Sequence, residues 1–325
     1  MPTASHDRTK APPRANERVA WFNGRIVPES EVLIPFRDRG FILGDAVYDT
    51  ERTFGHRIFR LKEHIDRLYR SLRYLQIDPG LTPAEMTAIT EEVVERNLHL
   101  IDRDEDYWIS QRISRGYNKE GRWAGGTFVP TVIVECEHLP FAARAPLFHD
   151  GIDVIVASGR RSAPDMLSPR AKTHNYLNFV MADLEMQDQP GHPWAVLLDH
   201  DGNISEGMGC NFFIVREGTV MTPRERNVLP GISRAVTIEV AQKLGIPLEE
   251  RDIDMYDAYT ADEAFLTSTS LCICPVRSIN RNPVANKAVP GPVTQRLIDG
   301  YAELLGFDFV AQYMRRLERP AAAAR

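Results

Sequence analysis

Lys172 stands in the run Ala171-Lys172-Thr173-His174-Asn175-Tyr176, just ahead of a helix-like segment. Downstream, Glu206 lies in a glycine-containing turn, Ile204-Ser205-Glu206-Gly207-Met208-Gly209-Cys210-Asn211. A lysine amine attacks an aldehyde once burial or a nearby charge has freed it of its proton. A carboxylate set against a pyridine nitrogen keeps that nitrogen protonated, so that the ring withdraws electrons. Pyridoxal 5′-phosphate (PLP) is the cofactor that needs both groups. Lys172 is the candidate nucleophile, and it is also placed to carry a proton between a substrate Cα and the cofactor. Glu206 is the candidate partner of the ring nitrogen, and Gly207 and Gly209 let the backbone approach a flat ring. A phosphate needs donors, and Gly231-Ile232-Ser233 opens a helix directly after Pro230. The N–H groups of such a helix start, with the Ser233 hydroxyl, make an anion site.

Three further motifs follow the same order along the chain: Arg60-Leu61-Lys62-Glu63-His64-Ile65-Asp66-Arg67-Leu68, Leu229-Pro230-Gly231-Ile232-Ser233-Arg234, and the run from Asp262 to Pro275 with its Thr267-Ser268-Thr269-Ser270 hydroxyls. Together with the lysine and glutamate motifs they resemble the fold-type IV PLP aminotransferases. That group holds branched-chain, D-amino acid and (R)-amine transaminases together with aminodeoxychorismate lyase, and the resemblance covers roughly residues 19 to 305. It implies that Arg67 grips the phosphate, that Thr269 supplies a further hydroxyl, and that Tyr176 meets the ring hydroxyl. Tyr176 falls one residue nearer the lysine than the tyrosine of related branched-chain enzymes. The resemblance also implies a homodimer.

The substrate side departs from the branched-chain pattern. Where that subgroup reads Phe-Glu-Gly-Ile-Arg, this chain has Tyr48-Asp49-Thr50-Glu51-Arg52. Aligned from Arg115-Gly116, Ser110 stands where branched-chain enzymes carry arginine, the lyase lysine and the D-amino acid enzymes tyrosine. A small hydroxyl there resembles the (R)-selective amine transaminases. Tyr48, Trp108 and Trp123 are expected to wall the pocket, with Ser268 and Ser270 lining it. Arg112 and Arg122 are candidate partners for a carboxylate. The expected reaction moves an amino group from an (R)-primary amine to a keto acid such as pyruvate. A branched-chain or D-amino acid aminotransferase is the alternative, and a lyase is a lower one.

These residues need elements to hold them. Asn23-Gly24 marks a hairpin between short strands within Ala20–Val27. Ile58, Leu61, Ile65, Leu68, Leu72 and Leu75 recur with helical period, predicting a helix over 58–76 that carries Arg67. Thr82 and Glu85 form a capping box for the next helix. Strands are expected at Tyr107–Ser114, Thr131–Cys136, Ile152–Ala157, Ala195–Leu198, Asn211–Val215 and Ala264–Leu266, the last leading into a turn. Helices are expected near 177–187, at Ser233–Leu244 and at Val293–Leu305. The fold class is α/β, in a two-domain α+β arrangement with the cofactor between the domains. The expected parts are an N-terminal arm over 1–18, a small domain over 19–140, a linker over 141–151 and a large domain over 152–325.

Composition narrows the partners. The chain is 43% hydrophobic with a net charge of −6 and no basic block, which argues against nucleic acid. No apolar run reaches the roughly 18 residues that cross a membrane, and the first residues lack a signal-peptide core. Cys136, Cys210, Cys272 and Cys274 form no metal or disulfide pattern. Buried reduced thiols and a cytoplasmic setting are expected. The nine histidines show no metal-ligand spacing, so no catalytic metal is expected.

Overall fold

The computed structural model describes residues 17–121 and 126–317. Two sheets form the framework. The smaller is antiparallel throughout, in the order Arg25–Pro28, Val19–Phe22, Phe128–His138, Tyr107–Asn118, Ala46–Phe54, Arg57–Ile58. Helices Leu61–Leu75 and Pro83–Asn97 cover one of its faces. Ile65, Leu68, Leu72, Met86, Val93 and Val94 pack there against Tyr107, Ile109 and Ile113. The hairpin turns at Asn23-Gly24, both with positive φ, as that dipeptide demands. The Thr82–Glu85 capping box is formed in both directions. The first of these helices starts at Leu61 rather than 58, because Arg57–Ile58 pairs with Thr53–Phe54 and Arg60 turns the chain at φ +53.

The larger sheet has nine strands, and six of them close on themselves. The ring runs Cys210–Arg216, Glu263–Ser268, Cys272–Ile279, Ile152–Arg160, Trp194–Leu198, Ile204–Gly207, and the last pairs back onto the first. Helices Ile232–Lys243 and Pro292–Leu305 pack against this sheet, adding Val236, Val240, Leu297, Ile298 and Tyr301 to its core. The strand at Ala264 is not the last, since Cys272–Ile279 returns beside it. Cys272 and Cys274 are both buried there, and all four cysteines are free and buried.

Residues 141–151, expected as the linker from their Ala-Ala and Ala-Pro pairs, are helical over Phe141–Asp150, with Pro146 inside the helix. Its Phe141, Ala145 and Phe148 are buried in the large core, so packing outweighs the cost of Pro146. Of the expected arm, residues 1–16 lie outside the described residues. Among those described, no helix is long and apolar enough to cross a membrane.

The two sheets meet along the edge of Ala46–Phe54. Val47 bridges Thr173, the Tyr48 N–H donates to the Lys172 carbonyl at 3.0 Å, and the His174 N–H donates to the Ala46 carbonyl at 3.0 Å. Arg52 is buried and crosses the same boundary, donating to the Ser270 carbonyl at 2.8 Å and to Gln312 Oε1 at 2.9 Å. The lysine is therefore placed by backbone pairing to the opposite sheet.

Gly116 shapes the neighbouring strand. It has φ +75, it sits where the register with Phe128–His138 shifts, and an added Cβ would lie 1.6 Å from the Val129 carbonyl oxygen. Gly116→Ala is expected to cost at least about 2 kcal/mol, from left-handed strain plus that clash. Urea unfolding of the two proteins measures it, and a variant as stable as the parent would contradict this geometry.

Candidate active site

The strand Ala46–Phe54 shows one face to each side of the small sheet. Asp49 and Glu51 point towards the covering helices, whereas Tyr48 and Thr50 turn the other way. Asp49 has no exposed surface. Arg67 donates Nε to Oδ2 at 2.9 Å and Nη2 to Oδ1 at 2.6 Å, and His64 donates Nδ1–H to Oδ1 at 2.8 Å. Burial works to raise the Asp49 pKa, but the Arg67 charge and these hydrogen bonds outweigh it and hold the carboxyl well below its ordinary range. Burial lowers the His64 pKa, so His64 serves as a neutral donor. Asp49, Glu51 and His64 bring three ligand atoms within 4.8 Å of one another. Within that cluster the Arg67 guanidinium balances the Asp49 charge.

On the cleft side, Arg67 Nη1 donates to the Pro230 carbonyl at 3.0 Å. This ties the helix that carries Arg67 to the loop before Ile232–Lys243. That helix has Gly231 at its N-cap and no side-chain cap, so the N–H groups of Ile232 and Ser233 have no helical partner. Arg67, Gly231, Ile232, Ser233, Ser268 and Thr269 line one end of a cleft. The Ser233 hydroxyl donates to the Ser268 carbonyl at 2.9 Å, and the Thr269 hydroxyl to the Thr50 carbonyl at 3.1 Å. Each hydroxyl thus spends its single proton on backbone. The donors that face an anion at this end are the helix N–H groups and the guanidinium.

Lys172, Thr173, Tyr176, Phe179, Glu206 and Asn211 also line the cleft. Lys172 is buried, its Nζ lies 4.4 Å from the centre of the Tyr48 ring, and its N–H donates to Ser71 Oγ at 3.0 Å. Tyr176 meets the Tyr48 ring edge-on at 5.7 Å. Glu206 is buried and fixed at both oxygens. Arg161 Nε reaches Oε1 at 2.8 Å, while the Leu229 N–H and Asn211 Nδ2 reach Oε2 at 2.9 and 3.2 Å. Thr267 Oγ1 borders the same cleft, buried and without a hydrogen-bond partner. A buried amine, an arginine-backed carboxylate, an open helix start and an orphaned hydroxyl are a donor set that suits PLP.

Other expected residues fall outside this lining. Thr50 and Ser110 face each other in register, their hydroxyls 2.9 Å apart. Arg112 sits across from Tyr48, its guanidinium 5.5 Å from that ring, and donates Nε to Glu135 at 2.7 Å. These residues form the wall beyond Tyr48. Trp108 packs against the large core with Arg144 over its ring at 5.9 Å, and it does not line the cleft. Ser270 is buried and its carbonyl accepts from Arg52 and Tyr313, a structural role behind Ser268. Arg122 and Trp123 lie outside the described residues.

Sequence reasoning missed Arg161, Asp49 and Glu135. Asp49 had a signal in the i, i+3 pair His64 and Arg67, two polar side chains on the buried face of an amphipathic helix that need an acid to meet. Arg161 had none, standing one residue past the end of its strand among other cations.

Comparison with known proteins agrees with this geometry. Residues 46–279 match the family model of amino-transferase class IV. A Methanocaldococcus jannaschii protein with the provisional name of branched-chain-amino-acid aminotransferase is 36% identical over 286 residues, covering 87% of this chain and 95% of its own. The D-alanine aminotransferase of Bacillus licheniformis is 28% identical, covering 85% and 93%. Among solved structures, the branched-chain amino acid aminotransferase of Thermobaculum terrenum in its PLP form aligns with a TM-score of 0.78 at 28% identity, covering 93% of this chain and 98% of that one. With the fold, the cleft and the matched span in agreement, the chain belongs to the class IV aminotransferases.

Proposed function

We propose that this enzyme uses PLP to move an amino group from a hydrophobic primary amine or amino acid to a keto acid such as pyruvate. The observation that carries the reading is the single cleft in which Lys172, the Arg161-backed Glu206 and the uncapped start of Ile232–Lys243 converge. When bound, PLP supplies an aldehyde for amines and a ring that withdraws electrons from the substrate Cα.

The protein's own share is positioning and proton transfer. The helix N–H groups and Arg67 hold the phosphate. Glu206 holds the ring nitrogen in its protonated form, its own orientation set by the Leu229 N–H, Asn211 and Arg161. Lys172 Nζ takes the proton from the substrate Cα. Its backbone is pinned to Tyr48 on one side and Ser71 on the other, so it approaches from one direction and reaches one hydrogen. A single enantiomer of the donor follows. A second copy of the chain is the proposed partner. Leu177, Val180, Met181 and Leu184 form an exposed apolar stripe along one face of Leu177–Gln187.

Two readings of the donor stand level. The paired hydroxyls of Thr50 and Ser110 give a small, uncharged wall, which supports an (R)-primary amine. Arg112 on the same wall, with the names carried by the relatives, supports a branched-chain or D-amino acid.

Lys172→Ala is expected to remove covalently held cofactor, with loss of the amine-sensitive visible absorbance and of turnover. Retained absorbance with near-normal turnover would refute the role of Lys172. Steady-state assays with both enantiomers of 1-phenylethylamine, L-leucine and D-alanine, each with a keto acid, separate the donors. Turnover of the (R)-amine over the (S)-amine is the expected result. Activity with an amino acid and none with either amine assigns the amino acid reading instead. Sedimentation velocity is expected to give twice the mass of one chain, and a monomer at micromolar concentration would discard the dimer.

A further inference from the structure

The wall beyond Tyr48 is built in two cross-strand rows. One is Thr50, Ser110 and Glu135, and the other is Tyr48, Arg112 and Ile133. Within the first row, the Ser110 hydroxyl is engaged with Thr50 at 2.9 Å. Glu135 is left to reach diagonally to the second row, where its Oε1 accepts from Arg112 Nε at 2.7 Å. The pair is partly open, with 39% of the arginine side chain and 27% of the glutamate exposed. Nη1 and Nη2 of Arg112 carry no hydrogen bond to the described residues. Burial, followed by the nearby Arg112 charge, lowers the pKa of His174 to about 4. His174 meets the Tyr48 ring edge-on at 5.3 Å and is therefore neutral beside it. The Arg112 guanidinium and the Lys172 amine lie against that ring.

We propose that Glu135 sets the donor range of this enzyme. It holds Arg112 by the Nε edge, with the outer nitrogens free for a substrate carboxylate, and it cancels much of the guanidinium charge. A carboxylate is gripped but not required, so the same wall receives amino acids, keto acids and uncharged amines. This rests on the reading of the Tyr48–Thr50 face as the substrate side. It also explains how a chain with Ser110 in place of a family arginine can hold a keto acid: the cation has moved two residues along the strand, to the same face, and has acquired a counter-charge.

The charge and the positioning of Glu135 are separable. Glu135→Gln keeps an oxygen for Arg112 Nε and removes the negative charge next to the bound carboxylate. Affinity for carboxylates should therefore rise. Calorimetric titration of the PLP-loaded enzyme with 4-methylpentanoate, which has no amine to react, and with its uncharged counterpart 4-methylpentanamide reads this directly. Glu135→Gln should tighten the carboxylate by about three- to tenfold, the scale of one partly screened charge at close range. Arg112→Gln should weaken it by about tenfold or more, the loss of a charge-assisted contact. The amide serves as the control for folding and should bind all three proteins alike. Weakening in Arg112→Gln without tightening in Glu135→Gln overturns the role of Glu135 alone. Unchanged carboxylate binding in both variants overturns it together with the substrate-side reading beneath it.

Discussion

A carboxylate with no exposed surface sits behind the cleft, and the arrangement of the site depends on how Asp49 is paid for. An unpaired buried charge costs several kcal/mol. Asp49 avoids that cost through two nitrogens of Arg67 and the neutral imidazole of His64, both from one turn of helix Leu61–Leu75. The pairing sets the rotation of the helix against the strand. It also sets the guanidinium, whose remaining edge meets the Pro230 carbonyl just before the next helix begins. One buried ion pair thereby connects the small sheet to the anion end of a cleft in the large one.

The strand that carries Asp49 works because its two faces do different jobs. Glu51 lies beside Asp49 on the buried face, and burial, then the Asp49 charge, raises its pKa well above its ordinary value. Its side chain is set against Gln111 on the next strand. The two neighbouring acids are shifted in opposite directions, Asp49 held down by Arg67 and Glu51 pushed up. On the opposite face, the Tyr48 ring meets both the lysine and Arg112 while Thr50 pairs with Ser110. The Tyr48 and Ala46 backbone meanwhile fixes the Lys172 segment along the strand edge. A shift of one residue would exchange the two faces and bury Tyr48 in place of Asp49, so the packing of the helices enforces the register of the site.

Legibility from sequence followed the range of the interactions. Lys172, Glu206 and the Gly231-Ile232-Ser233 helix start could be read because their local chemistry is distinctive, and the structure brings them to one cleft. The Asn23-Gly24 turn and the Thr82–Glu85 cap are also local and formed as read. Non-local terms were hidden. Phe141–Asp150 contains Ala-Ala and Ala-Pro pairs that mimic a linker, and only its buried phenylalanines reveal a helix. Arg161 approaches Glu206 past the intervening strand Trp194–Leu198, and no spacing in the chain encodes that meeting. Ser233 and Thr269 line the cleft, yet their protons go to backbone carbonyls 35 and 219 residues away in sequence, a choice that only the fold decides.

The cleft combines three electrostatic environments that come from different parts of the fold. Its anion donors are backbone N–H groups at the start of Ile232–Lys243 and the Arg67 guanidinium, brought in on a helix of the small sheet. Glu206 is held against Arg161, a pair with almost no exposure, where solvent cannot screen the carboxylate. Lys172 lies against the Tyr48 ring of the small sheet. An open helix start, a sealed ion pair and a lysine beside a tyrosine meet in one place because the backbone pairing of residues 46–48 with 172–174 holds the two sheets together.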